Sequence, residues 1–315
     1  MPKAPLKKIK PLALLLLILT STVMVLSFLS AVRAETRIIS LNPSSGNVGT
    51  TVRLTANIST PDGLYRVLFD KNELLSGNAT GNNATASFGI PHASEGVHNV
   101  TIIDATAGEN ATATFTVLTF YSFKPDVPES PAQLQQGASL TISINMTGGK
   151  SNYTYPKVKV QTPGNLKYEA SKNVTTSVVG DYYSNFTYPN EFSSGANTNF
   201  TGEYKILFNE TLVNRFLIGL TNSSKYHRED IVNLKAVDYP LNKNVTITIK
   251  FGNKTIDSIT YNATDGTVNT NWAVPSNVLL GNYNASITPV PTSKKIGNDI
   301  SDKTSAQYAR LFCIL

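Results

Sequence analysis

From residue 35 onward, apolar side chains return at every second position, a period that strands satisfy and helices do not. Thr51-Val52-Arg53-Leu54-Thr55-Ala56, Leu140-Thr141-Ile142-Ser143-Ile144 and Val245-Thr246-Ile247-Thr248-Ile249 each set a β-branched or aliphatic residue at alternate places. Each run therefore hides one face and wets the other. Clusters of Gly, Pro, Asn and Asp separate such runs at intervals of about 8 to 12 residues, the spacing of an all-β sandwich or barrel.

A motif recurs three times. An aromatic residue is followed by two residues and a proline, then by a glycine two residues before a ring. The copies are Phe88-Gly89-Ile90-Pro91 with Gly96-Val97-His98, Phe186-Thr187-Tyr188-Pro189 with Gly202-Glu203-Tyr204, and Trp272-Ala273-Val274-Pro275 with Gly281-Asn282-Tyr283. The physical reading is a strand with an inward aromatic that stops at proline, which cannot continue a ladder. A loop then crosses to a second sheet, glycine makes the corner, and a ring anchors the next strand. One copy per sandwich gives three sandwiches in the roughly 280 residues that follow the leader.

Each copy should lead to one final strand. Ala111–Val117 and Leu212–Ile218 fit that place in the first two modules. After the third copy the chain is polar through about Thr304 and then reads Tyr308-Ala309-Arg310-Leu311-Phe312-Cys313-Ile314-Leu315, without alternation. The expectation is a third module that lacks its last strand, through fragmentation or an altered reading frame, followed by an irregular tail over 292–315. Lys124-Pro125-Asp126-Val127-Pro128-Glu129-Ser130-Pro131 reads as a stiff linker between modules.

The N-terminus sets the compartment. Lys3, Lys7, Lys8 and Lys10 precede an apolar run from Leu12 to Val32 that ends at Val32-Arg33-Ala34. This is the pattern of a secretory signal peptide cleaved after Ala34, and the run is also long enough to remain as a membrane anchor. In both cases the flanking lysines stay inside and everything after Ala34 is outside. The chain has 27 Lys+Arg against 21 Asp+Glu, but Lys3, Lys7, Lys8, Lys10 and Arg33 belong to the leader. The body is thus nearly neutral, which argues against a nucleic-acid binder. Cys313 is the single cysteine, so no intrachain disulfide is available and buried apolar surface must hold the fold.

Asn-X-Ser/Thr sequons are dense, in excess of what composition alone gives. They are Asn57, Asn78, Asn83, Asn99, Asn110, Asn145, Asn152, Asn173, Asn185, Asn199, Asn209, Asn222, Asn244, Asn253, Asn262 and Asn284. Glycans must point to solvent, so these asparagines are expected on loops or on the outward positions of strands.

Three resemblances follow from these residues. Tyr204 and Tyr283, each two residues after a corner glycine, resemble the tyrosine corner of immunoglobulin-like domains, with His98 in that place in the first copy. Asn42-Pro43-Ser44-Ser45-Gly46-Asn47-Val48-Gly49-Thr50-Thr51-Val52-Arg53-Leu54 resembles the opening of an IPT/TIG domain, and departs from it at Ala56-Asn57. Gly202-Glu203-Tyr204-Lys205-Ile206, Gly219-Leu220-Thr221 and Tyr226-His227-Arg228 resemble immunoglobulin-like repeats of archaeal exported surface proteins. These resemblances imply tandem immunoglobulin-like β-sandwiches after an N-terminal hydrophobic helix, on a protein anchored at the cell surface. The expected order is a leader over 1–34, an IPT/TIG-like sandwich over 35–120, and further sandwiches over 121–222 and 223–291.

Chemistry is thinly represented. His92, His98 and His227 show no metal-ligand spacing and no second cysteine exists, so no metal or cofactor is expected. Asp70-Lys71-Asn72-Glu73 reads as a hairpin turn rather than a calcium loop. No nucleophile elbow, phosphate loop or paired carboxylate is nominated, so the chain is read as non-enzymatic. The leading expectation is a structural or scaffold protein of the cell envelope. Its partners would be other envelope proteins or glycans, with membrane contact through the N-terminal segment alone. The alternative is an adhesion or carbohydrate-binding module, with Tyr182, Tyr183, Phe186 and Tyr188 as the candidate surface.

Overall fold

Alternation in the sequence becomes alternation of burial along the strands. In the computed structural model, Val52, Leu54 and Ala56 are buried while Thr51 and Arg53 are exposed, and Leu140, Ile142, Ile144 and Met146 turn inward together. The structure describes residues 35–127, 133–223, 225–289 and 310–314. The leader over 1–34 and most of the tail lie outside the described residues, as does the end of the proline-rich stretch. The described strands fall into two compact units. Thr51–Gly89, Val97–Phe115 and the segment ending at Ser44 make one; Ser45–Thr50, Ile90–Gly96 and the chain from Thr116 onward make the other.

The first sandwich comprises β1 (Arg37–Asn42), β2 (Ser45–Gly46), β3 (Thr51–Asn57), β4 (Leu64–Phe69), β5 (Asn72–Asn78), β6 (Asn83–Gly89), β7 (Gly96–Asp104) and β8 (Asn110–Val117). They form the sheets β1-β3-β6 and β2-β8-β7-β4-β5. The second comprises β9 (Phe120–Pro125), β10 (Gln133–Gln135), β11 (Leu140–Thr147), β12 (Thr154–Tyr155), β13 (Lys159–Gln161), β14 (Lys167–Glu169), β15 (Val174–Thr175), β16 (Tyr182–Tyr188), β17 (Gly202–Phe208) and β18 (Thr211–Gly219). Its main sheets repeat the order, β9-β11-β16 and β10-β18-β17-β13-β14, with β12-β15 as an added pair. The third comprises β19 (Lys225–Tyr226), β20 (Ile231–Ala236), β21 (Lys243–Phe251), β22 (Lys254–Ala263), β23 (Val268–Ala273), β24 (Gly281–Thr288) and β25 (Arg310–Ile314), in the sheets β20-β23 and β19-β25-β24-β21-β22.

In all three, the recurring motif carries the chain from one sheet to the other: β6 to β7, β16 to β17, and β23 to β24. The corner glycines Gly96, Gly202 and Gly281 have φ of 124°, 133° and 134°. Side chains rarely adopt that backbone, which is why glycine recurs there. The Tyr204 hydroxyl donates to the Phe200 carbonyl at 3.1 Å and accepts from its amide at 3.2 Å, and the Tyr283 hydroxyl donates to the Leu279 carbonyl at 2.6 Å. Both corners are therefore formed. At the first, His98 instead stacks on Phe69 and places Nδ1 2.9 Å from Asp70 Oδ2.

Two expectations are corrected. The third module does not lack its last strand: β25 pairs antiparallel with β24, from Gly281↔Ile314 to Ala285↔Arg310, and parallel with β19. It occupies the place that β8 and β18 hold in the other two sandwiches. The strand is short, and after Arg310 its four residues Leu311-Phe312-Cys313-Ile314 are all apolar, so the sequence shows no period of two there and only the pairing on both edges identifies it. The tail over 292–315 is accordingly not irregular throughout. Lys124 and Pro125, read as linker, belong to β9, where Lys124 faces Ser143 and Pro125 faces Ile142.

What the third sandwich has lost is its outermost strand beside β20, reduced to a bridge between Thr221 and Leu234. Side chains cover that edge instead. Asn222 Oδ1 accepts the Asn233 amide at 3.1 Å, and Gln135 Nε2 donates to the Asn233 carbonyl at 2.9 Å. A covered edge offers no template for pairing with a second chain.

The first sandwich also buries a carboxylate that the sequence did not advertise. Asp104, fully buried, accepts from Ser59 Oγ and the Thr60 amide at 2.8 Å, and from the amides of Thr106 and Ala107 at 3.0 Å. Burial pushes its pKa up. The Ala107 amide, the Ser59 hydroxyl and the Thr60 donors outweigh that and bring it to about 2. A folded-state pKa below the unfolded value makes the charged form the stabilising one. This contribution, about 2 kcal/mol, is complete above pH 4 and fades as the pH falls toward 2. Asp104→Asn should flatten that acid limb in urea melts taken from pH 6 to pH 2. A wild-type limb identical to that of Asp104→Asn would contradict it.

Candidate functional site

The sixteen sequon asparagines are the candidate site, and their surroundings follow from strand geometry. Residues i and i+2 of a strand share a face, so an Asn-X-Thr tripeptide on a strand shows Asn and Thr to one side and X to the other. Thirteen of the asparagines are exposed; Asn57, Asn199 and Asn284 are half-buried; none is buried. In ten the middle residue is buried, among them Val100, Met146, Phe186 and Val245. The buried X fixes the strand's register, and register in turn fixes the outward direction of the asparagine.

Register also brings some of these sites together. Asn57 faces Asn83 across β3 and β6, and Asn244 faces Asn262 across β21 and β22, where Asn262 Nδ2 donates to Asn244 Oδ1 at 2.6 Å. Asn199 Nδ2 donates to Asp238 Oδ2 at 2.5 Å. Asn222 uses its oxygen on the Asn233 amide and on the Tyr226 hydroxyl, at 3.1 and 2.7 Å. Beside Asn209, Glu210 bridges Lys159 and Lys167 at 2.7 Å each, and these two lysines hold its carboxyl at about 2.

The rings singled out over 182–188 divide by face. Phe186 and Tyr188 are fully buried, with the Tyr188 hydroxyl donating to the Asn197 carbonyl at 2.9 Å. Tyr182 is half-buried and Tyr183 is exposed. Sequence reasoning missed a different set. Tyr153, Tyr155, Phe208, Tyr121 and Phe123 form a continuous chain of ring contacts with centroids 4.8 to 6.0 Å apart. Its members come from three strands, β9, β12 and β17, and the loop before β12, so no single stretch of sequence displays it.

The histidines do not converge: His92 Nδ1 lies 2.5 Å from Asp181, His98 pairs with Asp70, and His227 with Asp230. Asp70 turns the chain between β4 and β5 with φ of 53°. Among the described residues no group of three or more His, Cys, Asp or Glu could hold a metal ion, and no helix is long and apolar enough to cross a membrane. A depression of about 270 Å³ is lined by Gln161, Thr162, Pro163, Asn165, Glu203 and Lys205. Its one acid, Glu203, is already bonded by Arg215 at 3.0 Å.

Paired sheets, a cross-sheet corner at glycine and tyrosine, and a short strand parallel to the last one define the class: tandem immunoglobulin-like β-sandwiches, all-β throughout the described residues. No protein-family model matches the chain, and no curated protein does. Among solved structures, the native conformation of E. coli alpha-2-macroglobulin aligns at 9% identity and a TM-score of 0.21, over 90% of this chain and 23% of that one. The chain thus spans under a quarter of that protein's length. The D1-D4 ectodomain fragment of ICAM-5 aligns at 12% identity and 0.23, over 90% and 77%, and the FN1-FN3 domains of chicken CNTN1 at 9% and 0.20, over 90% and 98%. At such TM-scores these matches carry no weight, and the assignment rests on strand order.

Proposed function

We propose that this chain is a non-enzymatic, exported, N-glycosylated structural protein of the cell surface. One observation carries the reading: every one of sixteen sequons, distributed over three sandwiches, offers its asparagine to solvent or half to solvent. Random placement in a protein that buries about a quarter of its described residues would inter several of them. The leader pattern at the N-terminus supports export, and the nearly neutral body supports a role without nucleic acid. Partners on this reading are neighbouring envelope proteins or glycans, and the membrane is touched through the N-terminal segment alone.

Adhesion is the second reading. The ring chain of the second sandwich favours it, because its members Tyr121 and Tyr153 remain exposed and Lys150 Nζ lies 4.8 Å over the Tyr153 ring. Fractionation of the native host with mass spectrometry of the recovered protein tests both. A coat or membrane fraction carrying a mass excess at most of the sixteen peptides is the expected result. A cytoplasmic protein of unmodified mass would end the proposal. Sugar binding by the pure protein that disappears in Tyr153→Ala would select adhesion.

A further inference from the structure

The outward face of β9-β11-β16 is made of polar side chains with two exceptions. Along β11 it shows Thr141, Ser143, Asn145 and Thr147; along β9, Ser122 and Lys124; along β16, Asn185 and Thr187. The exceptions are Phe120, 46% exposed, and Tyr183, 57% exposed. Both flank one residue. Asn145 sits on the central strand, directly opposite Tyr183 on β16 and Ser122 on β9. Phe120, two residues before Ser122 on the same face, lies on the diagonal. Directly opposed side chains on one face have Cβ atoms about 5 Å apart and diagonal ones about 7 Å, within reach of an aromatic ring. Tyr183 also stands two residues before Asn185, on the same face.

Two large rings left in water beside a sequon, on a face otherwise free of apolar groups, call for an occupant. The occupant is tethered between them. The geometry points to Tyr183 and Phe120 as the seat of the first sugars of a glycan carried by Asn145. A pyranose presents a face of C–H groups, and an aromatic ring presents a negative π-face to receive it. The glycan covers the rings, and the rings hold it against the sheet rather than letting it sample free solution. This inference rests on the glycosylation proposed above and adds a specific resting place for one glycan.

The test compares the chain from a glycosylating host with the same chain from a host that adds no sugar, after peptide mapping of Asn145. In the glycosylated protein, Tyr183→Ala should lower the Tm of the second sandwich by on the order of 4 °C. Asn145→Gln should do the same, and the double variant should add nothing further, as for two groups in one interaction. In the bare protein, Tyr183→Ala should shift Tm by less than about 2 °C, as expected of an exposed side chain. Tyr183→Phe should retain the full effect, and the first sugar's ring protons should move upfield in NMR spectra of the wild type and of Tyr183→Phe but not of Tyr183→Ala. Equal losses in both protein forms, or additive losses in the double variant, would overturn the inference. Asn145 occupied with Tyr183→Ala neutral overturns it and leaves glycosylation standing; Asn145 bare in the glycosylating host overturns both.

Discussion

A chain ended after Ala309 should lose the cooperative unfolding of its third sandwich while the second keeps its own. The strand removed, β25, lies between β19 and β24 and is paired with both. Its Ile314 is 1% exposed and belongs to the same core as Tyr226, Trp272 and Tyr283. Uncovering one such side chain costs about 2 kcal/mol, and each lost ladder bond about 1 kcal/mol. The sum, at least about 4 kcal/mol, is comparable with the whole stability of a small domain. Hydrogen exchange reads the outcome locally. Amides over Gly281–Ala285 should exchange orders of magnitude faster in the shortened chain, whereas those over Gly202–Phe208 should be unchanged. Undiminished protection over Gly281–Ala285 would mean that β25 contributes nothing and that the module is complete without it.

Replacing the tyrosine of the second corner separates ring from hydroxyl. Tyr204 is fully buried, stacks on Phe216 at 5.1 Å, and meets Tyr188 edge-on at 6.1 Å. Tyr204→Ala should cost about 3–5 kcal/mol through the cavity it leaves in this aromatic cluster. Tyr204→Phe keeps the ring and removes only the hydroxyl that serves both the amide and the carbonyl of Phe200. Leaving these without a partner should cost about 1–3 kcal/mol. Urea midpoints at constant m-value measure both. A phenylalanine variant as stable as the wild type would remove the corner bond from the account of this fold, and an alanine variant losing less than 1 kcal/mol would remove the ring.

The alternation at Val52, Leu140 and Val245 was enough to give fold class, because a period of two leaves a half-buried strand as the one regular solution. The glycine-to-ring spacing gave the three cross-sheet corners, because the φ near 130° at Gly96, Gly202 and Gly281 is a demand of local backbone that composition displays openly. The outward direction of Asn99 or Asn244 was legible for the same reason: a buried neighbour fixes the face.

Elsewhere the same reasoning ran out. β25 escaped it because four consecutive apolar residues, Leu311 to Ile314, show no period of two. Asp104 escaped because its four donors come from two loops separated by more than forty residues in sequence. The rings around Asn145 escaped because Phe120, Asn145 and Tyr183 lie on three different strands. Sequence by itself determined which side of each alternating segment faces solvent, since that depends on neighbours one residue away; it did not separate the buried Phe186 and Tyr188 from the outward Tyr183. Only the tertiary structure decided which outward residues stand side by side, because cross-strand register is set by the whole sheet, and no local pattern encodes it.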